Sequence, residues 1–290
     1  MRSNRIDKAL YGRKYADLLC SSEPVIVTVE NSALCGQINH SEQSRPAAFQ
    51  IANPSNIFDN VGYLHNLACE FYMSSYSPSD SSVGTIITAM SQFLTQEFGF
   101  KNVEERIGKK ARLVIDLVSK VDSPDFNISN GHRSKDAIVL ESTDVAFLNE
   151  VLNKFTTNLN KVNSDSDFQQ AIEKVKHDES VIINRTSLTI DQKFLMLAST
   201  SVMRYSADLW FRIGSDTNNP WVPPSAVGRR WFNPSVFGAD VVGAYTANQI
   251  SLSATGAAIG AGFFGIGAAA GYLGTMAAVG AGVSLTRALG

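Results

Sequence analysis

The sequence predicts an all-α fold: a helical domain of six or seven helices, followed by a Gly/Ala-rich apolar segment folded as a helical hairpin or a single helix. Three observations point there. Apolar residues recur at helical spacing in six separate stretches between residues 61 and 213. Turn signals, notably Ser77-Pro78, Gly99 and the polar run Asp122 to Arg133, fall between those stretches. Twelve of the 21 glycines lie between Gly238 and Gly290, and no charge occurs from Val241 to Thr286.

A chain of 290 residues can bury a core of one large domain or two smaller ones. Residues 1–52 are rich in Ser, Asn and Gln and read as a loosely structured leader, with Val25 to Val29 as a short strand. The helical domain covers 53–217. Its first helix follows Asn53-Pro54, with Asp59 or Asn60 as cap and Val61, Leu64, Leu67, Ala68, Phe71 and Tyr72 at helical spacing. A second runs from about Ser82 to Phe98, with Ile86, Met90, Phe93 and Leu94 on one face. A third, Asn102 to Val121, opens on Glu104 and Glu105 and closes on Lys120, as the helix dipole favours. Thr143 to Leu159 and the shorter Ser166 to Lys176 follow. Thr189 to Ile213 is apolar on nearly every side, which marks a central helix.

Residues 218–240 form a connector in which Trp221, Pro223, Pro224, Trp231 and Pro234 exclude regular helix over much of the length. Trp221 and Trp231 flank Arg229 and Arg230, a combination suited to a membrane interface; aromatic caps on the helical domain are the alternative.

Residues 241–290 form the tail. Ala254 to Leu285 contains 32 residues without charge or proline, and as one helix would reach about 48 Å against a hydrocarbon thickness of roughly 30 Å. A tilted helix fits, as does a hairpin breaking near Gly265-Gly267 or Gly271. Small residues are spaced for close contact: Gly256 with Gly260, Gly267 with Gly271, and the row Ala270, Gly274, Ala278, Gly282. Phe263 and Phe264 lead the apolar side chains, whose summed insertion energy is only about −2 to −4 kcal/mol. Such a segment inserts conditionally, or stays packed on the helical domain until released. A buried core hairpin explains the same composition.

Other classes find little support. The net charge of −2 gives no basis for nucleic-acid binding. Cys20, Cys35 and Cys69 are odd in number and unpaired in spacing, so free thiols are expected. His40, His65, His132 and His177 have no metal-ligand spacing, and no cofactor or metal is expected. Cys69 lies one helical turn after His65, a spacing that could pair a nucleophile with a base but suits a core cysteine better. No nucleotide loop or hydrolase elbow is present, and the chain is not expected to be an enzyme. No standard signal peptide is visible, so release is expected by lysis or a dedicated route.

Several motifs remain: Asn53-Pro54, Val61-Gly62-x-x-His65-Asn66, Ser201-Val202-x-Arg204-Tyr205-Ser206-x-x-x-Trp210 and Ala239-Asp240-Val241-x-Gly243-Ala244. In these the chain resembles a group of uncharacterised Bacteroidota proteins. The resemblance implies a glycine-rich tail of membrane or bacteriocin-like character, with His65 and Asn66 as a hydrogen-bonding pair at a helix start. The expectation is a bacteriocin-like antibacterial toxin whose soluble domain delivers the tail to a target membrane and permeabilises it. Its expected partners are that membrane, an unidentified surface receptor, an immunity protein, and further copies of the chain within the membrane. Arg133, in the exposed loop, is a candidate site of activating cleavage. The alternative is an envelope or phage-related structural protein that uses the tail as anchor or oligomerisation element.

Overall fold

The computed structural model describes residues 50–80, 82–98, 102–118, 138–216, 219–221, 234–249 and 266–289. Within them the chain is helical and contains no strand: α1 (Asn60–Ser75), α2 (Val83–Phe98), α3 (Val103–Val118), α4 (Ser142–Leu159), α5 (Asp165–Asn184), α6 (Ile190–Ser215), α7 (Pro234–Gln249) and α8 (Ile266–Leu289). The all-α expectation holds.

Local chemistry explains most of the boundaries. Ser164 and Thr189 open α5 and α6 with reciprocal capping boxes to Asp167 and Gln192. Asp59 stands at the start of α1 but makes no capping bond; its carboxylate is used elsewhere. Helix α5 continues to Asn184, eight residues beyond the expected end at Lys176, because Glu179 and Ile182 extend its buried face. Pro234 is the first residue of α7, where its missing N–H costs nothing. That helix runs across the boundary expected between connector and tail at residues 240 and 241.

Helix α6 is the axis of the molecule. Every residue from Phe194 to Gly214 except Arg212 is buried. Helix α1 packs on α6 and α8, while α7 lies against both α6 and α8. Helices α2 and α3 cover α8 from another side, and α5 lies on α6 with α4 outside it. Rings lock the layers together: Phe58 on Phe194 (centroids 4.8 Å apart), Phe168 on Phe211 (4.4 Å) and Phe155 on Phe237 (5.3 Å). Helices α7 and α8 are therefore core elements: Val236 to Ala247, Asp240 included, and Thr275 to Val283 are buried throughout.

Two glycines allow this packing, and neither belongs to the contact rows read from the sequence. A Cβ on Gly243 would lie 2.9 Å from Val283 Cγ2, and one on Gly280 would lie 3.1 Å from the Asp240 carbonyl oxygen. Gly282 has ordinary room, its nearest neighbours being Ile86 Cγ2 at 3.4 Å and Met90 Cγ at 3.6 Å. Gly243→Ala should therefore lower stability by about 1–3 kcal/mol through overpacking. Gly282→Ala should be neutral or stabilising by up to about 1 kcal/mol, because alanine is the better helix former. Urea denaturation of the two variants ranks them, and equal effects would remove the distinction.

Candidate functional site

Helix α6 carries two buried polar clusters, each gathering residues distant in sequence. The first centres on Arg204, which is completely buried. Its guanidinium donates to the Ile51 carbonyl, to Asp59 Oδ1, and to Glu179 Oε1 at 3.0 and 3.2 Å. Glu179, on α5 and equally buried, also accepts from Asn53 Nδ2 (2.6 Å), Asn56 Nδ2 (2.9 Å) and Thr200 Oγ1 (2.9 Å). Asp59 Oδ2 accepts from the Tyr205 hydroxyl at 3.0 Å and the Asn53 backbone N–H at 3.2 Å.

The turn at Asn53-Pro54 is shaped for this role. Asn53 Oδ1 accepts from Ser55 N (3.1 Å) and Asn56 Oδ1 from Phe58 N (2.9 Å), so each side-chain oxygen holds the turn while each amide reaches Glu179. Residues 50–52, expected at the end of a loose leader, are tied down: Ile51 is buried and its carbonyl is held by Arg204.

The second cluster joins α1, α6 and α7. His65 and Asp240 are wholly buried, with Nε2 and Oδ1 3.3 Å apart. This is an ion-pair contact poorly aligned as a hydrogen bond, and Oδ1 has no other partner among the described residues. Asp240 Oδ2 accepts from Ser206 Oγ and from Trp210 Nε1 at 2.9 Å, two residues one turn apart on α6. The other ring nitrogen of His65, Nδ1, lies 3.1 Å from Asn66 Oδ1. Asn66 Nδ2 donates to the Tyr205 carbonyl at 2.8 Å, which turns its oxygen toward the imidazole. His65 and Asn66 thus sit inside α1 and bond across to α6 and α7, rather than serving the start of their helix.

Burial alone would lower the His65 pKa, but neighbouring Cys69 and Asp240 outweigh it and hold the imidazole well above its ordinary 6.5. Burial pushes the Asp240 carboxyl up, against the pull of His65, Ser206 and Trp210. Burial likewise pushes the Cys69 thiol up, against the pull of His65.

Cysteine, histidine and aspartate invite comparison with a nucleophile–base relay. Here Cys69 Sγ, 4.0 Å away, and Asp240 Oδ1 both face Nε2, whereas a relay needs them on opposite nitrogens. All three side chains are also fully buried. The geometry suits a clasp that fixes three helices, not attack on a substrate. Among the described residues no group of three or more His, Cys, Asp and Glu has the arrangement of a metal site.

Gly62 sets the depth of the junction. A Cβ there would lie 2.5 Å from both the Ser201 carbonyl oxygen and Tyr205 Cδ2, so α1 and α6 touch backbone to backbone. Ser201 Oγ fills the seam, donating to the Asp59 carbonyl at 2.6 Å and accepting from Gly62 N at 3.1 Å.

Of the residues named from sequence for membrane contact, five fall within the described residues. Trp221 is buried against Tyr72, with ring centroids 5.6 Å apart, and caps the helical body. Arg229, Arg230, Trp231, Gly256, Gly260, Phe263, Phe264 and Arg133 lie outside the described residues. Gly267, Gly271, Gly274 and Gly282 all fall within α8, which begins where a hairpin break was expected. Among the described residues no helix is long and apolar enough to cross a membrane. Trp221→Ala should leave the two clusters intact yet cost about 3–5 kcal/mol. Thermal unfolding measures that cost, and an unchanged midpoint would deny the ring its capping role.

Comparison of the chain with protein-family models, with curated proteins and with solved structures finds no match.

Proposed function

We propose that the protein is a bacteriocin-like, membrane-acting toxin in its stored form, with α7 and α8 as the payload and α1–α6 as the sheath. The observation that carries this reading is a contrast in composition within one core. Most of the helix pair is drawn from the charge-free run Val241 to Thr286, and among the described side chains α2 and α3, which cover α8, bury no charge. A charge-free run of that length suits a membrane-active segment as well as a buried core. Glycine and alanine contact rows would serve the pair again in lipid, where small residues let helix backbones approach.

The test is leakage of a trapped dye from vesicles of phosphatidylglycerol and phosphatidylcholine, with a killing assay on related bacteria. Leakage and growth inhibition are the expected results. Vesicle association without leakage would favour the second reading, a structural protein anchored or oligomerised by the tail. The close fits at Gly243 and Gly280, which make α7 and α8 a well-packed unit, favour that reading. Neither association nor leakage under conditions that open the core would overturn both.

A further inference from the structure

The second cluster determines more than stability, because its hydrogen-bond bookkeeping depends on a proton. Both ring nitrogens of His65 face acceptors: Asn66 Oδ1 at Nδ1 and Asp240 Oδ1 at Nε2. Neither acceptor can turn into a donor cheaply. Flipping the Asn66 amide would set its oxygen against the Tyr205 carbonyl that its nitrogen now serves. Turning Asp240 would take Oδ2 away from Ser206 and Trp210. With Asp240 ionised, a neutral ring sets one bare nitrogen against an oxygen in a dry core, relieved at Nε2 only by the Cys69 thiol 4.0 Å away. The doubly protonated ring serves both oxygens.

We propose that the proton on His65 is the catch that keeps α7 docked on α1: the clasp closes around the imidazolium, and loss of either ring proton loosens α7 and, with it, α8. The surroundings leave His65 in charge. From α1 it is faced by Cys69, with Glu70 beyond; from α7 by Asp240. Helix α6 contributes the hydroxyl of Ser206 and the indole of Trp210, both spent on Asp240, and its Arg204 is committed to Glu179 and Asp59. Helix α8 meets the ring at Gly280 and carries no titratable group from Thr275 to Val283; α2 carries none from Val83 to Gln96.

The sign follows from the raised His65 value. Its contribution is fully present below the unfolded pKa of about 6.5 and is lost as pH rises through the folded value. Asp240, also raised, favours the folded state in the same direction, toward acid. The catch opens on alkalinisation. That release feeds the membrane step only if the proposed function holds, so the two are tested separately.

In the full-length protein, nitrogen-15 spectra of labelled histidine should show one ring, absent from the His65→Gln variant, that keeps both protons above pH 7. The thermal midpoint should fall by about 3 °C for each pH unit between the unfolded value of about 6.5 and the folded one. His65→Gln should start lower and lose that slope; Asp240→Asn should do the same if the glutamine variant does not fold. A His65 ring neutral at pH 7, or a slope unchanged in the variants, would overturn the catch. Leakage from the same vesicles should rise with pH alongside the fall in midpoint. If catch and slope appear but no pH produces leakage, the catch stands and the membrane reading falls. If leakage is pH-independent in wild type and variants alike, the catch is wrong and the membrane reading survives.

Discussion

Glu179→Ala is expected to destabilise the protein by about 3–5 kcal/mol, enough to leave most molecules unfolded if total stability lies in the usual range. The loss is large because one carboxylate serves four residues. Without it the buried Arg204 keeps only Asp59 and the Ile51 carbonyl, and Asn53, Asn56 and Thr200 lose an acceptor. Arg204→Met together with Glu179→Leu should recover only part of the loss. Apolar replacement often rescues a simple buried ion pair, but here two amide donors would still face a hydrocarbon side chain. Urea denaturation of the single and double variants measures the coupling. Full rescue by the double variant would show the asparagines to be bystanders.

Gly62→Leu should be the second severe change. Even Gly62→Ala places a Cβ 2.5 Å from a backbone oxygen, so α1 must back away from α6. Such a shift stretches Asn66 from the Tyr205 carbonyl and His65 from Asp240 together. A cost of about 1–3 kcal/mol is expected for alanine, and more for leucine. Gly84→Ala supplies the contrast. Its nearest neighbour would be Ser82 Oγ at 3.7 Å, and the exchange should stabilise by about 0.5–1 kcal/mol. If both alanine variants behaved alike, the close approach of α1 and α6 would not matter energetically.

Much of this fold can be read from spacing. The amphipathic helices α1 to α4 and α6 follow from apolar periodicity, and their ends from local breakers and caps. Helix α5 reads too short in the sequence because its last two turns mix Asp178, Glu179 and His177 with Val181 and Ile182, hiding a buried acid in a polar run. Helix α7 was hidden by its composition. Gly238, Gly243 and Ala244 carry no periodic signal, so a proline at its start read as the end of a connector.

The candidate site was half visible. The short motifs contain Asn53, His65, Asn66, Arg204, Ser206, Trp210 and Asp240, and the fold brings each into one of the two clusters. Their convergence could not be seen, because it depends on which helix faces which. One signal was available: Arg204 and Asp240 are charges set in otherwise apolar helices, and a charge in a buried helix needs a partner. Asp59 and Glu179 gave no such sign, since both stand among polar neighbours.

Chain order gives this architecture a temporal meaning. Arg204 closes on a carbonyl 153 residues upstream, and Asp240 lies later still. During synthesis the opening turn and α1 must wait, unclasped, until the ribosome has delivered α6 and α7. The most apolar stretch emerges after the helices that cover it, which are then available to receive it. Vectorial synthesis thus works as an internal chaperone: the greasiest helices emerge to a host already made.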